Sequence, residues 1–201
     1  MTTPFVLGLT GSIGMGKSTT AAFFAEAGIP VWDADAAVHR LYAAGGQGAE
    51  AIRSLHPTAL VDGAVDRDRL KQWIAEDAHA LVQIEAVIHP LVAVDRARFM
   101  KQAEADGVDM VVLDIPLLFE TGHDTWMDAV AVVTVDPAVQ RERVLARGTM
   151  TPAQFDAILE KQMPDAQKRG RADYVIETNS LEEARNAVLS LIEQIRKSQH
   201  A

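Results

Sequence analysis

A lysine, a serine and two threonines close a glycine-rich stretch, "LGLTGSIGMGKSTTAAFF", in which four glycines fall between Gly8 and Gly16. The spacing Gly11-x-x-x-x-Gly16-Lys17-Ser18 is the Walker A phosphate-binding pattern. Its chemistry follows from the residue types. Glycines let successive backbone N–H groups turn inward and form an anion nest. A helix beginning at Lys17 aims the positive end of its dipole at the same point. The spacing therefore predicts a triphosphate held by Gly11, Ser12, Ile13, Gly14, Met15, Gly16, Lys17, Ser18 and Thr19. Lys17 reaches the outer phosphates and the Ser18 hydroxyl faces Mg²⁺. The dinucleotide pattern G-x-G-x-x-G does not occur.

Carboxylates and arginines further along the chain could complete such a site. Asp33 and Asp35 end the apolar run "IPVWDAD", which reads as a strand over Ile29–Asp35. Either could orient an acceptor hydroxyl or accept its proton; two residues apart on a strand, both point the same way. The alternative for either is capping the following helix. Asp114 ends the apolar run Met110–Asp114, where a Walker B carboxylate that binds Mg²⁺ directly or through water is expected. Glu120 follows within a turn or two. Arg143 and Arg147 are four apart and share a helix face. They open a stretch, Arg141–Arg171, with seven basic and four acidic residues in a chain whose net charge is −9. Such a segment suits a lid that closes arginines over phosphates.

These residues need a scaffold that brings strand ends together. Apolar runs at Phe5–Thr10, Ile29–Asp35, Met110–Asp114, Ala129–Asp136 and "ADYVIET" alternate with helical patterns. That alternation predicts an α/β fold, a three-layer core with a parallel sheet. Helices are expected from Lys17 to Ala27 with Gly28 as the stop, over "AAVHRLYAA" up to a hinge-like "GGQG", and from Pro137 to Gly148. A further helix starts at the Thr151 cap and Pro152, and a last one runs from Leu181. Between Asp66 and Glu104 the apolar spacing predicts two or three helices, broken near His89-Pro90. The expected partition is a core of about 1–45, 107–140 and 172–201, a helical insertion of about 46–106, and a helical lid of about 141–171.

Composition narrows the class. The 201 residues are 48% hydrophobic and 23% charged, with no cysteine. No disulfide or thiolate metal site is possible. The acidic balance argues against a nucleic-acid surface. Neither a secretory leader nor a membrane span is expected, so the cytoplasm is the expected location. A triphosphate site leaves three classes: switch GTPase, motor-type ATPase, and small-molecule kinase. The N-K-x-D and D-x-x-G marks of switch GTPases are missing.

The sequence resembles the dephospho-CoA kinase family. The stretches "GLTGSIGMGKST", "VWDADAAVHRL", "IHPLV", "LDIPLLFE", "RVLARGTMT", "EKQMP" and "ADYVIETNS" occur in that family's order, from Gly8 to Ser180. The resemblance implies transfer of the ATP γ-phosphoryl group to the ribose 3′-hydroxyl of dephospho-CoA, with Mg²⁺ as cofactor and a P-loop kinase fold. It implies that Asp35 is the acceptor-side carboxylate, with Thr10 beside it, and that Arg147 is the lid arginine at the phosphates. It implies that His89, Pro90, Leu117, Phe119 and Glu120 shape the CoA site. Arg143 and the segment after Val175 are implied at the adenine. Ser12 and Met15 depart from the family's loop; both positions contribute mainly backbone to the phosphate nest, so little change is expected, with a narrowed approach at the bulkier Met15 as the alternative. Two competing readings remain, a kinase of a smaller acceptor and a nucleotide-gated binding protein.

Overall fold

The computed structural model of the chain describes residues 3–199. Residues 1–2 and 200–201, which the expected core includes, lie outside the described residues. The chain divides into two compact units: 3–31 with 107–199, and 32–106.

The first unit is built on a parallel sheet. Its strands are β1 (Phe5–Thr10), β5 (Met110–Asp114), β6 (Ala129–Thr134) and β7 (Tyr174–Glu177). A short β2 (Val31–Asp33) joins beside β5, where the Val112 N–H donates to the Pro30 carbonyl at 2.9 Å. The order is β2-β5-β1-β6-β7. Every residue of β5 and β6 is buried, the expected signature of strands covered on both faces. The core joins Leu7, Leu9, Met110, Val112, Ala131 and Val133 to Phe23 and Phe24 of α1 (Lys17–Glu26). The terminal helix α9 (Leu181–Gln199) adds Val188, Leu191, Ile192 and Ile195. Leu9 pairs in register with Asp114. The end of β5 and the loop after β1 therefore leave the sheet at the same edge, which is what the site requires.

Three shorter helices follow β6: α6 (Pro137–Ala146), α7 (Pro152–Lys161) and α8 (Asp165–Arg171). The strand expected to reach Asp136 stops at Thr134. Asp136 instead caps α6, accepting the Ala138 N–H at 2.8 Å, with Pro137 at the first helical position. Thr151 and Gln154 form a full capping box on α7.

The second unit is mostly helical: α2 (Ala34–Tyr42), α3 (Gln47–Leu55), α4 (Arg67–Glu76) and α5 (Ala80–Ala105). Ile52, Leu70, Trp73, Ala80, Ile84 and Ile88 form its core. A two-strand hairpin, β3 (Leu60–Val61) and β4 (Ala64–Val65), turns through Asp62-Gly63, both at positive φ. The Trp32 indole N–H and the Arg40 guanidinium both donate to Asp95, at 2.8 Å each. Partial burial raises the Asp95 carboxyl, but these two donors more than offset it and hold it below the usual range.

Three expectations are corrected here. The helix expected to break near His89-Pro90 runs unbroken through Pro90 for 26 residues. Ile84 and Ile88 before the proline, and Leu91 and Val92 after it, belong to one apolar cluster, and that packing outweighs the lost N–H. The "GGQG" stretch is no hinge, because Gln47 and Gly48 already belong to α3. A Cβ at Gly48 would lie 2.8 Å from the Leu41 carbonyl, so glycine lets α3 pack close to the end of α2. The strand expected over Ile29–Asp35 is only three residues long, and Asp35 lies in the first turn of α2.

Candidate active site

The loop between β1 and α1 has the geometry that anion binding needs. Gly14 and Gly16 stand at φ +78° and +90°, conformations open to glycine and strained for other residues. Gly16 is the N-cap of α1, so no side chain caps the helix, and no acidic residue lies in its first turn. The helix start is thus left with N–H donors and an uncompensated dipole, directed at the loop.

Other side chains hold the loop from outside. Ile13 is gripped at both peptide groups. Its carbonyl accepts from Gln140 Nε2 at 2.6 Å, and its N–H donates to Gln162 Oε1 at 3.1 Å. The Thr178 hydroxyl donates to the Met15 carbonyl at 2.8 Å. The Met15 side chain does not narrow the loop. It is buried among Leu9, Val133 and Val135, and its sulfur accepts the Val135 N–H. An apolar residue at that position serves the core beneath the loop, and the narrowed approach does not arise.

Lys17 pairs with Asp114, whose carboxylate is buried at the end of β5. The Ser18 hydroxyl is exposed in the first turn of α1. Ser18 and Asp114 offer the hard oxygen donors that Mg²⁺ prefers. Among the described residues no group of three or more His, Cys, Asp or Glu could hold a metal by itself. That donor set fits an ion held mainly by phosphates and water, with one or two protein oxygens.

Beside the loop opens a cleft of about 340 Å³. Gly14, Gly16 and Thr19 line one side, Arg143 and Arg147 another, and Thr178–Leu181 the rest. The structure thus brings together the glycine loop, both arginines and the segment after Val175. It also separates the arginines by role. Arg143 is anchored, donating to the Thr178 hydroxyl at 3.2 Å and the Thr178 carbonyl at 2.7 Å. Arg147, the C-cap of α6, is exposed, and its side chain makes no hydrogen bond or ion pair among the described residues.

Thr10 ends β1, fully buried, and its hydroxyl donates to the Pro116 carbonyl at 3.0 Å. Leu117 is exposed; Phe119 is buried, with the Arg171 guanidinium 4.6 Å from its ring centre. Glu120 Oε1 accepts the Met163 N–H at 2.8 Å and lies 2.8 Å from the fully buried Lys168 ammonium. Burial raises the Glu120 carboxyl, but Lys168 and Met163 outweigh burial and hold it below the usual glutamate range.

In the second unit the two aspartates separate cleanly. Asp33 is the N-cap of α2 and accepts the Ala36 N–H at 3.0 Å. Asp35 is exposed, and its side chain makes no hydrogen bond among the described residues. His89 and Pro90 are exposed on α5. A cleft of about 310 Å³ is lined by His39, Tyr42, Ala43, Ala64, Val65 and Arg67. His39 and Tyr42 follow Asp35 on α2 by four and seven residues, on one helix face.

The dephospho-CoA kinase (CoaE) family model matches residues 5–183. The chain belongs to the dephospho-CoA kinase family. Its sequence is 60% identical over 198 residues to a protein of Cereibacter sphaeroides named dephospho-CoA kinase, covering 98% of this chain and 99% of that protein. It is 57% identical to a protein of the same name from Ruegeria pomeroyi, covering 96% of each. The structure of TT1252 from Thermus thermophilus superposes with a TM-score of 0.83 at 33% identity, over 96% of this chain and 98% of that one. Membership of this kinase family removes the GTPase and motor classes that the glycine loop alone left open. No helix among the described residues is long and apolar enough to cross a membrane.

Sequence reading missed Gln140, Gln162 and Lys168, and it reached Thr178 only as part of the segment after Val175, without a role of its own. The first three fall on or beside helices, where a glutamine or lysine reads as solvent-facing. Only their burial or their long-range partners mark them. Thr178 carried a weak signal, being a hydroxyl just past the end of an apolar run.

Proposed function

We propose that this protein transfers the γ-phosphoryl group of ATP to the ribose 3′-hydroxyl of dephospho-CoA, giving coenzyme A and ADP, the last step of coenzyme A synthesis, in the cytoplasm. The observation that carries the reading is the uncapped start of α1 behind the glycine loop, with Lys17, Asp114 and Arg147 around it, in a chain of this family.

Phosphoryl transfer needs positioning and charge more than covalent chemistry. Backbone N–H groups from Gly11 to Thr19 hold the donor phosphates. Lys17 leaves Asp114 for the phosphates, and Arg147 closes on the transferring group. Arg143, fixed by Thr178, borders the adenine end of the donor. Ser18 and Asp114 would hold Mg²⁺, which would supply neutralising charge to the outer phosphates. Asp35 orients the acceptor hydroxyl and takes its proton as the new P–O bond forms and the bond to ADP breaks. Thr10, near the reacting groups, keeps the end of β1 in place through Pro116.

We assign the acceptor to the 32–106 unit and to Leu117, Phe119 and Glu120 after β5, with His89 and Pro90 contributing from α5. The cleft along α2 suits the acceptor's long arm: Arg67 and His39 for phosphate oxygens, and Ala43, Ala64 and Val65 for the apolar part. Burial raises the Tyr42 phenol there, with Arg67 pulling the other way, so Tyr42 enters as a neutral hydroxyl. Segment 141–171 acts as the lid. The test is incubation of purified protein with ATP, Mg²⁺ and dephospho-CoA. CoA and ADP should appear in equal amounts. No CoA above a blank at micromolar enzyme overturns the proposal, and a nucleoside that outcompetes dephospho-CoA favours a kinase of a smaller acceptor.

A further inference from the structure

We propose that Gln162 is a positioning residue, one end of a clasp that ties the phosphate-binding loop to the loop after β5 through two adjacent residues. Gln162 Oε1 accepts the Ile13 N–H at 3.1 Å, 149 residues away in sequence. The next residue, Met163, donates its N–H to Glu120 Oε1 at 2.8 Å. The same oxygen lies 2.8 Å from Lys168, whose side chain is completely buried. Donor loop, lid segment and acceptor-side loop are thereby joined in sequence.

Three features separate this from ordinary packing. Ile13 is caught on both sides, by Gln162 and by the buried Gln140, so both peptide groups that flank it are held. The clasp falls between α7 and α8, where the Gln162 N–H closes α7 on the Leu159 carbonyl, Pro164 has no N–H, and the Met163 N–H is left for Glu120. It also ends on a costly arrangement. A buried ammonium has one carboxylate oxygen as its partner, and the second oxygen of that carboxylate is buried without a hydrogen bond. Interiors rarely keep such a group without a use. The depressed Glu120 carboxyl keeps this end charged.

The clasp makes a specific demand on the reaction. The phosphate loop and the Leu117–Glu120 loop move together, because one two-residue segment holds both. Gln162 touches neither substrate; it acts through Ile13, and a small displacement of that loop costs rate disproportionately.

The inference rests on the kinase reading for its rate assay and has an independent readout in nucleotide affinity. Gln162→Leu keeps the size and loses the acceptor; Gln162→Glu keeps the acceptor. Gln162→Leu should lower kcat roughly 10-fold and weaken binding of a non-hydrolysable ATP analogue severalfold. Gln162→Glu should restore kcat. Glu120→Gln combined with Lys168→Met removes the buried charges together, so that the fold survives. Its weakening of analogue binding and that of Gln162→Leu should not multiply in the triple variant, because both break one clasp. The inference is overturned if Gln162→Leu leaves both kcat and analogue affinity within twofold of wild type, or if the losses of affinity multiply. If wild type makes no CoA, the kinase reading fails, and analogue affinity alone decides the clasp.

Discussion

Asp33 and Asp35 offer the sharpest test, because they are equivalent in sequence and opposite in structure. Asp33 spends its carboxylate on the Ala36 N–H at 3.0 Å; Asp35, two residues on, is exposed and unengaged. Removing the cap with Asp33→Ala should cost about 1 kcal/mol of stability. For a chain of this size that lowers Tm by about 2–4 °C. Asp33→Asn caps nearly as well and should leave both Tm and turnover close to wild type. Asp35→Asn removes only a favourable charge at a helix start, worth about 0.3–1 kcal/mol, so Tm should move little. If Asp35 takes the acceptor proton, kcat should fall by about 10²–10⁴, equivalent to about 3–5 kcal/mol in the barrier. The assay is steady-state CoA formation beside thermal melts of the three variants. A large kcat loss in Asp33→Asn with Asp35→Asn near wild type would refute the assignment.

Arg147→Met should lower kcat by about 10²–10³ with a smaller change in ATP affinity, as for a charge used at the transition state; equal losses in both would place Arg147 in ground-state binding instead. Gly16→Ala should weaken nucleotide binding measured by calorimetry, because φ +90° is strained for alanine and its Cβ would meet Thr178 Oγ1 at 3.1 Å; unchanged affinity would contradict the loop geometry. Glu120 has a folded pKa below its unfolded one, so its stabilisation is full above the usual glutamate range and lost as pH falls through the folded value. Wild-type Tm should therefore fall more steeply on acidification than that of the Glu120→Gln, Lys168→Met pair, and parallel curves would count against the ion pair. Pro90→Ala should raise Tm, since it restores an N–H inside α5, while KM for dephospho-CoA rises if the ring shapes the acceptor site.

Much of the fold was legible because its signals are local. The Lys17 helix with its Gly28 stop, the buried strands ending at Thr10 and Asp114, and the Thr151-Pro152 helix start each follow from a few adjacent residues. The failures share a cause. Helix α5 passes through Pro90 because packing outweighs a local signal, and the strand before Asp35 stops early because Asp33 caps a helix instead. Sequence spacing located the two arginines but could not tell them apart. Thr178, 31 residues beyond Arg147 in sequence, makes that distinction. Gln140 and Gln162 were illegible for the same reason, since their meaning lies wholly in Ile13.

The separation of the arginines carries a consequence for mechanism. Arg143 is bound twice to Thr178, and Thr178 is bound to Met15 within the loop. The floor of the donor site is therefore tied together by the protein's own hydrogen bonds, and little ordering entropy remains to be lost there when ATP arrives. Arg147 stands at the opposite extreme. It is the C-cap just past the end of its helix, exposed, and followed by Gly148 at φ +65°. A guanidinium so placed has no competing partner to leave and can arrive with the triphosphate. Lys17 is intermediate, because it must exchange Asp114 for the phosphates. In water, a cation kept over bound ATP before the acceptor arrives would favour hydrolysis as readily as transfer. Keeping the most exposed cation disengaged until the site closes favours the acceptor hydroxyl over water. That ordering predicts that Arg147→Met slows transfer to dephospho-CoA more than it slows the residual hydrolysis of ATP measured without acceptor. A proportional fall in both rates would mean that Arg147 serves the phosphates alike in either reaction.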